Sequence, residues 1–118
     1  MRQHLYEAEH EAFRDSVRAF FAATVVPHHD QWERDGIVPR EVWTAGGAQG
    51  LLGTDLPEEL GGGGVRDFRF NAVLGEEVMR VGATGVGFTL HNDVVAPYLR
   101  DLATPEQQRR WLPGFCRG

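Results

Sequence analysis

Lysine is absent from this chain, cysteine occurs once, and no apolar run approaches the length of a membrane span. Each lack removes a class of function. All twelve basic residues are arginine, which reads as genomic base composition rather than as twelve guanidinium sites. With a formal net charge of -5, the chain carries no electrostatic footprint for a nucleic-acid partner. Cys116 alone can form no internal disulfide and no metal constellation, and with no activating partner in view it reads as inert. The apolar runs fall far short of the roughly 20 residues that cross a bilayer. In MRQHLYEAEHEAF the acids arrive at once, so no signal-peptide core forms and cytoplasmic residence is the expectation. No stretch demands a strand by alternating apolar and polar residues.

What is present is helical periodicity. At 118 residues the chain reads as one domain, 1–118, with room for one core. From about Glu7 to Val26, Phe13, Val17, Phe20, Phe21 and Thr24 recur at helical spacing, and Pro27 bends or restarts the segment. HHDQWERD carries Trp32 and ends at Gly36, a suitable residue just past a helix. Pro39 opens PREVWTAGGAQGL, which buries Val42, Trp43 and Leu51. Gly46, Gly47 and Gly50 each weaken that helix by about 1 kcal/mol relative to Ala, which predicts close packing in return.

After the loop GTDLPEELGGGGVRD, Asp67 caps a helix with Phe70, Leu74, Val78 and Val81 on one face. The segment GATGVGFTLHNDVVAPYLRDL has two apolar stripes: Val86, Leu90 and Val94, then Phe88, Val95, Leu99 and Leu102. A helix apolar on two sides is central, or shared with a second body. In TPEQQRRWLPGFCRG, Thr104, Pro105 and Gln107 form a capping box, Trp111 and Leu112 an anchor, and Pro113-Gly114 a stop. The fold class predicted is all-α, an up-down bundle of about five to six helices.

Chemistry is harder to find. Gly61–Gly64 lacks the Lys-Ser/Thr of a phosphate loop and reads as a flexible interhelical connection. His28, His29 and Asp30 are sequence neighbours that point about 100° apart on a helix, so no metal site is assigned. His10-Glu11 begins a zincin-like pattern, but Arg14 stands where the second His belongs. Glu76 and Glu77 read as two solvated acids. No nucleophile–base arrangement stands out, and no catalytic residue is assigned. His91, Asn92 and Asp93 need partners within their apolar helix. Either they satisfy an interface, or the helix lines a pocket completed elsewhere.

The order of these pieces resembles a known family. P-R-E-V-W, G-L-L-G, L-P-E-E-L-G-G-G-G, V-L-G-E-E-V-M-R-V, G-V-G-F-T-L-H-N-D-V-V-A-P-Y-L and T-P-E-Q-Q-R-R-W-L-P follow one another as in the N-terminal α-helical domain of acyl-CoA dehydrogenases. The resemblance spans Glu7 to Gly118, and L-H-N-D-V-V-A-P-Y-L leans toward the long-chain-like branch. It implies a β-barrel-like middle domain and a C-terminal helical domain that these residues do not include. It implies FAD as cofactor of the parent enzyme, an acyl-CoA substrate, and a homo-oligomeric parent. The catalytic Glu and nearly all flavin contacts would lie in those other domains, so this chain alone is expected to be inactive and to hold no FAD.

The contribution implied for this chain is one wall of the acyl pocket. Gly87, Leu90, His91 and Val94, spaced i, i+3, i+4, i+7, are the candidate substrate-binding residues. Gly87 would let the acyl chain approach the backbone, and Leu90 and Val94 would touch it. The alternative for Leu90 and Val94 is simple core packing. Two departures from the family pattern stand out: Leu60 replaces a frequent aromatic, and Tyr6 replaces a capping hydroxyl or acid. A flavin monooxygenase or acyl-CoA oxidase of the same fold, and a stand-alone helical interaction module, are the rival functions.

Overall fold

Glu7 and His10 start the first helix. In the computed structural model, which describes residues 5–118, α1 (Ala8–Phe20) opens with a reciprocal capping box between these two side chains. His10 Nδ1 accepts from the Glu7 amide at 2.9 Å, so its Nε2–H donates to Asp67 Oδ2, also at 2.9 Å. Asp67 in turn caps α4 (Phe68–Arg80) by accepting from the Arg69 amide. One buried imidazole thus ties together the starts of two helices that pack side by side. The cap expected to be missing at Tyr6 is supplied by Glu7, and Tyr6 donates instead to Glu76 Oε1 at 2.5 Å.

Neither Glu76 nor Glu77 is a merely solvated acid. Glu76 pairs with Arg14 at 2.7 Å. Glu77 is 1% exposed and clamped between Arg18 at 2.6 Å and Arg80 at 3.0 Å. Burial pushes its carboxyl upward, but the two guanidinium groups outweigh that and hold it below the ordinary glutamate value.

The rod of α1 continues through a π-helical turn, Phe21–Val25. That wider turn moves the core face from Thr24 to Val25, which is fully buried. α2 (His29–Asp35) ends as expected at Gly36, whose φ of 77° takes the left-handed turn. In α3 (Arg40–Ala48) Gly46 and Gly47 do pack closely, whereas Gly50, past the helix end, meets nothing and serves a left-handed turn with φ of 78°. A Cβ on Gly46 would lie 2.6 Å from Phe88 Cζ, and one on Gly47 would collide with the Arg117 carbonyl.

The connection after α3 is not slack. The amides of Gly62, Gly63, Gly64 and Val65 donate to the carbonyls of Pro57, Gly53, Leu56 and Thr54. A Cβ on Gly63 would lie 2.6 Å from the Thr54 carbonyl oxygen, so these glycines serve close backbone packing rather than flexibility.

The last two rods are α5 (Phe88–Leu90), a π turn (His91–Val95) and α6 (Ala96–Asp101) in one line, then α7 (Pro105–Arg117). Thr104 and Gln107 form the predicted capping box. The predicted stop at Pro113-Gly114 does not occur. The helix runs through Pro113 because Leu112 and Cys116, one turn apart, are both buried in a small cluster with Leu56 and Ala96. That burial outweighs the loss of one helical hydrogen bond at proline. Trp111 is 44% exposed and is no anchor.

Counted as continuous rods, the described residues form six helices and no strand. The main core gathers Val17, Phe20, Phe21, Leu51, Leu74 and Phe88 from several of these rods and from the loop after α3. No described helix is long and apolar enough to cross a membrane.

Candidate functional site

The rod from Gly87 to Asp101 carries every residue predicted to touch substrate. Its inner face is set by Phe88, fully buried, whose ring meets Trp43 edge-on at 4.9 Å and Phe20 and Phe21 at 6.2 Å. One turn on lies Asn92, 2% exposed, and one further Ala96, fully buried. Of the predicted stripe of Phe88, Val95, Leu99 and Leu102, Phe88 is core and Leu99 packs on the smaller cluster around Ala96, whereas Val95 and Leu102 are exposed and Asn92 and Ala96 complete the inner face. The π turn, in which the Ala96 amide donates to the His91 carbonyl, shifts everything after it.

Outward the rod is apolar. Leu90 is 60% exposed, Val94 48% and Val95 39%. Core packing within this chain is thus excluded for Leu90 and Val94, and Val86, predicted on their stripe, is buried apart from them. Three such side chains on one turn need a ligand or a neighbour to cover them.

His91 lies between these faces. Its ring stacks on Phe115 with centroids 3.5 Å apart and planes 9° apart, and Trp43 stands 5.3 Å away. Nε2 lies 2.8 Å from the Phe115 carbonyl oxygen, so it carries the proton in the neutral ring. Burial pulls the imidazole below its ordinary 6.5, against the opposing pull of that carbonyl. A base kept neutral in the fold lets the unfolded chain bind the proton first, so stability is lost as pH falls below 6.5. His91→Phe, which keeps a stacking ring, should flatten that part of the stability profile. An NMR titration midpoint for His91 above 6.5 would contradict the reading.

Gly87 has φ of -81° and ordinary space above it, since a Cβ would lie 3.5 Å from the Trp43 ring. Neither backbone nor packing demands a glycine there. Gly87 and Gly85 form one side of a cleft of about 420 Å³ whose other side includes His29, Trp32, Val38 and Trp43. Of the four predicted residues, Gly87 lines this cleft, while Leu90 and Val94 form the exposed ridge beyond it and His91 pins the rod. His29 turns inward, its Nε2 accepting the Gly85 amide at 3.1 Å, whereas His28 faces Trp32. Asp93 accepts from Asn71 at 2.9 Å; its burial holds the carboxyl above the ordinary aspartate value.

Sequence reasoning assigns Trp43 to the core and gives Phe115 no role, yet both hold the site. The signal for Trp43 is its aromatic bulk beside Gly46. For Phe115 there is none, because Pro113-Gly114 marks a helix end ahead of it.

Residues 7–118 match the family described as acyl-CoA dehydrogenase, N-terminal domain. The chain is 45% identical to the mitochondrial long-chain specific acyl-CoA dehydrogenase of Mus musculus, over 97% of this chain and 26% of that protein. It is 33% identical to (2S)-methylsuccinyl-CoA dehydrogenase of Cereibacter sphaeroides, over 95% of this chain and 20% of that one. Its fold superposes on the crystal structure of an acyl-CoA dehydrogenase from Geobacillus kaustophilus with a TM-score of 0.92 and 37% identity, covering 98% of this chain and 30% of the other. The chain spans about a quarter of the length of the curated long-chain relatives it matches.

Proposed function

From the fact that the chain belongs to the acyl-CoA dehydrogenase family, as its N-terminal domain, we propose that it contributes one wall of an acyl pocket to an enzyme that desaturates acyl-CoA thioesters. The carrying observation is the exposed ridge of Leu90, Val94 and Val95 beside Gly87, on a rod whose opposite face is core. Apolar surface covered by an acyl chain contributes about 25 cal/mol per Å². The ridge therefore acts through binding and chain-length preference. The dehydrogenase names of the relatives favour desaturation over the oxidase and monooxygenase alternatives.

FAD, as the resemblance implies, would accept hydride in the parent enzyme. The residues described here do not fit it. No buried side-chain nitrogen or oxygen among them lacks a partner, and the amides of Gly61–Gly64 are committed to nearby carbonyls. No redox step is derived from this chain, and by itself it should turn over no acyl-CoA.

A hybrid tests the proposal: this chain in place of the matching N-terminal part of the Geobacillus kaustophilus enzyme. Leu90→Asp in that hybrid sets an uncompensated carboxylate against the acyl chain. KM for palmitoyl-CoA should rise by about tenfold or more, with little change for butyryl-CoA. Equal kinetics with and without the Leu90→Asp substitution, flavin still being bound, would contradict the wall.

A further inference from the structure

We infer that Asn92 and His91 are positioning residues that hold the π turn open, and that this turn, rather than an ordinary α-turn, sets Leu90, Val94 and Val95 together as one platform. The inference rests on the acyl-wall reading above and adds how the wall is shaped. In an uninterrupted α-helix each residue advances about 100°, which would carry Val95 some 140° away from Leu90. The wider turn brings Val95 back to the exposed side, with Val94 beside it.

Two pins keep the turn from relaxing. Asn92 Oδ1 accepts the Gly53 amide at 3.0 Å and its Nδ2 donates to the Leu51 carbonyl at 2.7 Å, both in buried surroundings. His91 Nε2–H donates to the Phe115 carbonyl while its ring stacks on Phe115. The pins therefore come from two separate elements, the loop after α3 and the last turn of α7. The other π turn, Phe21–Val25, contrasts with it: that turn buries Val25, whereas this one exposes three apolar residues, so core packing alone does not account for it.

Through-hydrogen-bond NMR on the 118-residue chain reads the register directly. In the wild type the Ala96 amide should couple to the His91 carbonyl carbon. Removing the pins (Asn92→Leu, with His91→Leu as the milder variant) should move that coupling to the residue 92 carbonyl, the α-helical partner. In the hybrid enzyme, each variant that changes register should raise KM for palmitoyl-CoA by about tenfold and leave kcat within about twofold.

An unchanged register in both pin variants overturns the inference. So does a changed register with unchanged KM when Leu90→Asp does raise KM; that pattern leaves the acyl wall standing. If Leu90→Asp itself has no effect, the acyl-wall reading has failed, and the NMR result still decides whether the pins hold the turn.

Discussion

A methyl group on Gly46 is expected to cost about 1–3 kcal/mol of stability, because it must enter space held by the Phe88 ring. That ring is fully buried among Phe20, Phe21 and Trp43 and cannot swing aside. Removing it, as Phe88→Ala, should cost more, about 3–5 kcal/mol, from lost transfer energy and the cavity left behind. The two costs should not add. In the double variant the new methyl enters the vacated space, so the sum of the single losses should exceed the double loss by at least about 1 kcal/mol. Urea unfolding of the four proteins measures the cycle. Additive losses would show that the clash at 2.6 Å is relieved by some other movement.

Gly87 should behave in the opposite way. Its backbone angle suits any residue, and an added Cβ would meet Trp43 at ordinary contact distance. Gly87→Ala should therefore leave unfolding stability within about 1 kcal/mol. In the hybrid enzyme the same substitution should lower kcat/KM for palmitoyl-CoA by about 10–200-fold, the range available to one misplaced methyl group in an apolar site. Butyryl-CoA should suffer less. A stability loss as large as that of Gly46→Ala, with unchanged kinetics, would assign Gly87 to packing. The contrast matters because the same residue type sits at both positions and only the surroundings distinguish them.

That contrast also shows what could be read without coordinates. The glycines of α3 announced close packing, and the structure names Phe88 and Arg117 as the neighbours. Asp67, Thr104, Gln107 and Gly36 marked helix ends because capping chemistry is local, and they act as read. The two π turns left no such mark. A period of 3.6 residues assigns Thr24 and Val95 to the core, and one wider turn in each rod hands those places to Val25 and to Asn92 with Ala96. Pro113 misled for a related reason. Its local preference is to end a helix, but Leu112 and Cys116 bury enough surface to carry α7 past it.

The candidate site was legible in part. Gly87, Leu90, His91 and Val94 do lie on the rod whose outer face is free, and Leu90 and Val94 are the exposed apolar residues the reading required. His91 differs from its companions: it points its Nε2 at Phe115 and acts on the shape of the rod. Trp43 and Phe115, which hold His91 from two sides, come from segments 48 and 24 residues away in sequence. Such long-range partners have no signature in local spacing.

The central claim is that the ridge on the His91 rod lies against the acyl chain. Photolabelling measures this most directly. The hybrid enzyme would be loaded with an acyl-CoA bearing a diazirine near the middle of its chain, irradiated, digested and mapped by mass spectrometry. Label on the peptide holding Leu90, Val94 and Val95, competed away by palmitoyl-CoA, is the result this account predicts. Competed label found only on segments outside residues 85–99 would contradict it.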